Sequence, residues 1–170
     1  MHRTFSEKPF NERYELMGDT AEHRFRVWAA EEYMPYTDYG LRRPQVPVYK
    51  LPAFIRYTPD FLLGDALVEV QGCGRDQTIK MKHDKLWALE TWDIHCGVYV
   101  WMWNQSNDQI GVMTFNVFQD LCSDMTGCYR EDGMFDETKP YTTVSWNDFY
   151  SHEYCLRTKD DWDNLRHHVA

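Results

Sequence analysis

Two carboxylates stand out by where they fall in the chain. Glu69 interrupts the apolar run Ala66-Leu67-Val68-Glu69-Val70-Gln71, and Asp60 precedes Phe61-Leu62-Leu63 on the far side of Gly64-Asp65. A Gly-Asp pair between two such runs reads as a tight turn, so the segments form a hairpin. Side chains two apart on a strand face the same way. Leu67, Glu69 and Gln71 therefore share one face, and Ala66, Val68 and Val70 the other. A carboxylate in an apolar strand is costly unless it is paired or bound to a cation. Counting back from the turn brings Asp60 near the level of Glu69. Two carboxylates on adjacent strands, with the strand carbonyl of Val70, make part of an octahedral shell for Mg²⁺, for which Mn²⁺ can substitute. Water and a substrate phosphate complete it. Such a site suits phosphodiester hydrolysis, because a bound divalent ion neutralises phosphate charge and lowers the pKa of its water.

These residues need elements to hold them. A helix is expected from about Asp19, with Ala21, Phe25, Trp28 and Glu32 on one face, Ala29 beside it, and Pro35 closing it. Residues 36–53 contain Gly40 and several prolines and read as an irregular, partly extended arm carrying Arg42, Arg43 and Lys50. A strand is expected over Phe54-Ile55-Arg56-Tyr57, running on to Leu63. After Gln71, Gly72-Cys73-Gly74 ends the second hairpin strand, and Asp76 is placed to cap a helix over roughly 77–93. Gly97-Val98-Tyr99-Val100-Trp101-Met102-Trp103 is nearly all apolar, as suits a strand buried on both faces and paired in parallel. The Trp101-Met102-Trp103 cluster reads as core rather than as a base-stacking platform. Another strand follows at Ile110–Phe115, and short helices and turns are expected beyond about 116.

The chain of 170 residues suits one domain, 1–170, with a core over about 18–115 and an acidic elaboration over about 116–170. No apolar run is long enough to span a membrane, and the N-terminal residues are too polar for a secretory signal, so a cytoplasmic protein is expected (host cytoplasm if phage-encoded). The net charge of −9 is unlike a simple nucleic-acid binder, but it is unevenly spread. Residues 104–170 carry 5 Lys+Arg against 12 Asp+Glu, whereas Arg42 to Lys85 is locally basic. The acidic part is a solvated face, a surface for a protein partner, or a screen against non-specific DNA. The five cysteines show no CxxC spacing and read as free thiols. A zinc site from Cys122, Cys128, His152 and Cys155 is the less ordinary alternative. His83, His95, His152, His167 and His168 show no catalytic or metal spacing.

The segment Tyr57-Thr58-Pro59-Asp60-Phe61-Leu62 followed by Val68-Glu69-Val70-Gln71-Gly72 resembles the core motif of the PD-(D/E)XK nuclease superfamily, which includes restriction endonucleases and junction-resolving and phage endonucleases. The resemblance extends over about residues 18–105. It implies an α/β, restriction-endonuclease-like core, a central mixed β-sheet flanked by helices, with Asp60 and Glu69 as metal ligands. Gln71 stands where that superfamily usually has lysine. Gly18-Asp19-Thr20-Ala21-Glu22 is similar to the superfamily's Gly-x-x-x-Glu, which implies that Glu22 adds an acid to the metal site. Asp19 and Glu22 also have the spacing of a capping box.

A neutral Gln71 can hold a water but supplies no positive charge. Lys80, Lys82 and Lys85 follow it, and Lys82 and Lys85 share a side with Leu89 and Trp92, which places at least one near the sheet. Lys85 is assigned that charge. The ordinary reading of these lysines is phosphate contact, shared with Arg42, Arg43, Lys50 and Arg75. The expected protein is a Mg²⁺-dependent DNA endonuclease acting on DNA as a homodimer, with branched DNA or a Holliday junction as a fitting substrate. Two alternatives stand beside it: a nuclease subunit of a larger DNA-processing complex, and a degenerate nuclease-fold scaffold.

Overall fold

The computed structural model describes residues 10–41, 50–122, 133–134 and 140–169, with side chains described for 20–41, 50–122 and 140–165. Arg42, Arg43 and Cys128 lie outside the described residues. The fold is mixed α/β, with a central mixed sheet flanked by helices.

The central sheet is built on the expected hairpin. β2 (Phe61–Leu63) and β3 (Ala66–Cys73) are antiparallel across Gly64, whose φ of 61° lies where only glycine sits without strain. β1 (Tyr36–Asp38) pairs with β2 at the edge. β5 (Val98–Asn104) lies parallel to β3, and β6 (Gln109–Thr114) runs antiparallel to β5, so the order is β1-β2-β3-β5-β6. The apolar run at 98–103 is therefore the interior parallel strand its composition implied, and Trp101 is wholly buried.

Several elements depart from the sequence expectation, among them the strands over Gly133–Met134 and Pro140–Ser145, where short helices and turns were expected. Ala53–Arg56 forms a short helix, α2, in place of a strand. Four apolar-rich residues carry too little periodicity to tell helix from strand. Phe54 of α2 stacks on Trp92 at 4.4 Å, and the Trp92 indole N–H donates to the Phe54 carbonyl. Thr78–Lys82 forms a strand, β4, and the helix α3 (His83–Cys96) begins only after it. Asp76 is thus no helix cap. The alternation that turns Ile79 and Met81 inward decides for strand, because β8 (Pro140–Ser145) supplies an antiparallel partner from far along the chain. Finally, α1 spans Phe10–Glu31. Asp19 and Glu22 therefore sit inside a continuous helix, and the capping box does not form.

Apolar residues pack on both faces of the sheet. Phe25, Trp28 and Ala29 of α1 meet Phe61, Val68, Val70 and Trp101 on one face. Leu86 and Leu89 of α3 meet Leu67, Val98, Val100 and Met113 on the other, with Phe115 and Phe118 of α4 (Phe115–Cys122). The acidic C-terminal part enters both layers. β8 and β7 (Gly133–Met134) join β4 in a second sheet, and Phe149 of α5 (Trp146–Ser151) packs on the α3 side. Trp162 and Leu165 of α6 (Lys159–Val169) pack on the α1 side. Among the described residues no helix is long and apolar enough to cross a membrane.

Candidate active site

The hairpin register pairs Phe61 with Val68, so the next step along the two chains sets Asp60 opposite Glu69. Asp60 is pinned from several sides. Its Oδ2 accepts the Val70 N–H at 2.8 Å, and its carbonyl accepts the N–H groups of Tyr39 and Gly40, each at 2.9 Å. Gly40 has no room for a side chain here, since a Cβ would stand 3.1 Å from the Asp60 Cα. Glu69 lies mid-strand between β2 and β5, with 1% of its surface exposed. Opposite it, the first turn of α3 brings in Lys85, whose Nζ forms an ion pair with Glu69 Oε1. Apart from that ion pair, this buried oxygen has no hydrogen-bond partner.

The electrostatics follow from crowding two acids in a dry place. Burial first, and then the charge of Asp60, push the Glu69 carboxyl up to about 8, against the pull of Lys85. Burial also raises Asp60, although Lys85 and the Val70 N–H oppose it. The charge of Asp60 therefore opposes ionisation of Glu69 in the absence of a cation. Burial alone would lower Lys85, but Glu69 and Asp60 together hold it above its ordinary value and keep it charged.

The other sequence candidates fall at varying distances from this centre. The Gln71 side-chain nitrogen donates to the Lys80 carbonyl at 2.7 Å, which ties β3 to β4. Glu22 is half-buried on α1 and pairs with Arg26 at 3.3 Å. Among the described residues no group of three or more His, Cys, Asp or Glu side chains assembles around a common point, so Glu22 does not complete a three-acid cluster and Cys122, His152 and Cys155 form no zinc site. Lys50, Arg75 and Lys80 are exposed and Lys82 is half-buried. Two contributors carried no assignment from the sequence. Arg26 lies over the Phe61 ring at 4.9 Å, pairs with Asp38 at 3.3 Å, and favours the ionised form of Asp60. Tyr57, at the C-terminal end of α2, lies close enough to Lys85 to act on its charge. The spacing of Glu22 and Arg26, four apart on a helix, was the available signal for the first of these; for the second it was only adjacency to the Asp60 motif.

No protein family and no curated protein is found to match this sequence. Among solved structures, the chain is similar to Hjc, a Holliday junction resolvase from the archaeal hyperthermophile Archaeoglobus fulgidus, with 11% sequence identity and a TM-score of 0.46, over 78% of this chain and 91% of that one.

The donor set suits a hard divalent cation. Mg²⁺ is commonly held by one or two protein carboxylates, with water and phosphate oxygens making up the rest of its shell. Asp60 and Glu69 offer those carboxylates, and the buried Glu69 Oε1 has only an ammonium beside it.

Proposed function

We propose that this chain is a Mg²⁺-dependent DNA endonuclease, with Asp60 and Glu69 as metal ligands and Lys85 as the positive group of the site. The observation that carries the reading is the pairing of two acids opposed across a hairpin, one of them fully buried, with a half-buried lysine drawn onto the buried one. A site where burial and crowding oppose the ionisation of its carboxylates is suited to a cation that offsets their charge. The motif residues Pro59, Asp60, Glu69, Val70 and Gln71 support the same reading from sequence.

In this reading Asp60, Glu69 and the Val70 carbonyl hold the ion, with Glu22 as an outlying acid. A bound divalent cation supplies charge neutralisation at the phosphate and a water of lowered pKa. Asp60 is held in place by the Val70 N–H on its Oδ2. Lys85 pairs with Glu69, and its ammonium would be the positive group nearest a phosphate held at these carboxylates. Gln71 holds its nitrogen on β4 and keeps its amide oxygen as an acceptor for the attacking water. The chain acts on DNA as a homodimer, since cutting both strands calls for two sites, and branched DNA or a Holliday junction is the substrate class we favour.

The test is a cleavage panel of single-stranded, duplex, flapped and four-way DNA with Mg²⁺ or Mn²⁺. Wild type should cleave at least one form, and Asp60→Asn should lower the rate at least 10³-fold while melting cooperatively. A wild type inactive on every substrate and both metals refutes the proposal. The Gln at position 71 favours one other reading, a degenerate nuclease-fold scaffold, for which calorimetry would find no Mn²⁺ binding that depends on Asp60. Activity appearing only with a bound protein partner would point to a nuclease subunit.

A further inference from the structure

One aromatic ring at the rim of the Asp60–Glu69 site is held in place and yet open to solvent. Tyr39 follows β1 directly, and its N–H and that of Gly40 both donate to the Asp60 carbonyl at 2.9 Å. The register runs from Thr37 to Leu62 to Leu67, and Leu62 and Leu67 pack on the α3 side of the sheet. Tyr39, two beyond Thr37, falls on that side as well. Its ring accordingly meets Trp92 of α3 edge-to-face, with centroids 5.9 Å apart and planes at 89°. Glu69, two beyond Leu67, projects from the same face toward Lys85.

Trp92 is itself fixed. Phe54 of α2 stacks on it with planes 14° apart, and the indole N–H donates to the Phe54 carbonyl at 3.2 Å. A perpendicular contact engages at most one face of the Tyr39 ring, and the residue stays 42% exposed. An exposed apolar residue standing alone is ordinary. What sets Tyr39 apart is that main-chain bonds to Asp60 and a braced indole hold its ring beside the two acids. Lys85 and Trp92 are both on α3, about 10 Å apart along its axis. That is roughly three nucleotides of a stacked strand, and fewer of an extended one.

We propose that Tyr39 is a stacking platform for an unpaired base close to the phosphate at the Asp60–Glu69 site, and so selects flapped or branched DNA over continuous duplex. The inference rests on the proposed function for its substrate class and adds to it the residue that makes the choice. In a continuous duplex each base lies between its stacked neighbours, and none is free to meet a protein ring. At a flap or branch an unpaired base has a bare π-face. Stacking on an aromatic side chain then stabilises it whatever its identity, so the selection is for structure and not for sequence.

Binding is measured by fluorescence anisotropy in the Asp60→Asn background, where cleavage does not intervene and the main-chain bonds to position 60 remain. The probes are a fluorescein-labelled flapped duplex, the same flap with abasic units in place of its first few unpaired bases, and a continuous duplex. The parent should prefer the flap, and Tyr39→Ala should lower that preference about 5- to 100-fold. Tyr39→Phe should keep it, because the ring and not the hydroxyl stacks. Abasic units should lower the parent's preference by a similar factor and have no further effect in Tyr39→Ala, since base and ring act as one unit. A merely structural role for Tyr39 would weaken flap and duplex binding together and leave the two losses additive, and that result overturns the inference. So does a parent without preference, or a preference that Tyr39→Ala leaves unmoved, which would assign the exposed ring to a protein contact. If wild type cuts no DNA but the preference follows Tyr39, the nuclease reading falls and the platform stands. If wild type cuts and the preference does not depend on Tyr39, only the platform falls.

Discussion

Replacing Glu69 with glutamine should flatten the pH dependence of folding stability in the metal-free protein. The Glu69 carboxyl rises from 4.5 to about 8 on folding, so the folded chain keeps a proton that the unfolded chain has released. A group raised in this way contributes stability that is fully present below about 4.5 and is lost as the pH climbs through 8. The whole shift corresponds to about 5 kcal/mol, and the interval from pH 5 to pH 7 to about 2–3 kcal/mol. Lys85 is also raised, but its contribution persists up to its ordinary value of 10.5 and fades only above it, outside this window. Asp76, Asp108 and Asp161 are held below their ordinary value of 3.8, so their stabilisation is lost only as the pH falls below that range. Asp60 keeps a contribution of the same sign as Glu69 in both proteins. Urea unfolding at pH 5, 6, 7 and 8 with a chelator present, followed by tryptophan fluorescence, measures the profile. Wild type should lose stability across the series, and Glu69→Gln should lose at least 1.5 kcal/mol less, about half the interval worked above. Mn²⁺ should reverse the wild-type trend, since ligation needs both carboxylates ionised. Parallel profiles for the two proteins would refute the account of a Glu69 carboxyl raised by burial and by Asp60.

Two further outcomes test the packing that supports the site. Gly111→Ala should destabilise the protein by about 1–3 kcal/mol in thermal or urea unfolding, because the added Cβ would stand 2.7 Å from a Phe149 ring carbon and 2.8 Å from the Cys155 Sγ. Phe25→Ala should cost about 3–5 kcal/mol by the same measurement, since this fully buried ring stacks on Phe61 at 4.4 Å and meets Trp101 edge-on at 5.5 Å.

The acidic pair was legible in the chain because everything that sets it is local. A tight turn at Gly64-Asp65 and a two-residue period are enough to bring Asp60 level with Glu69. Lys85 was legible for a related reason, as a lysine on the apolar side of a helix is carried toward the sheet. Glu22 was harder, since its spacing fits a cap as well as a ligand. Only the continuous α1 from Phe10 removes the cap, and the ion pair with Arg26 shows where the carboxylate goes.

What the sequence determined by itself, then, was the hairpin, the interior parallel strand and the two acids between them. The period of side chains along one segment is a property of that segment alone. The rest was decided by partners far away in the chain. β4 is a strand because β8 pairs with it, and the lysines at 80 and 82 accordingly lie on a sheet face while Lys85 alone enters the helix. The protonation of Glu69 was likewise beyond sequence reading. It depends on how much water the two packed layers exclude and on how closely Asp60 and Lys85 approach, and both are properties of the folded chain.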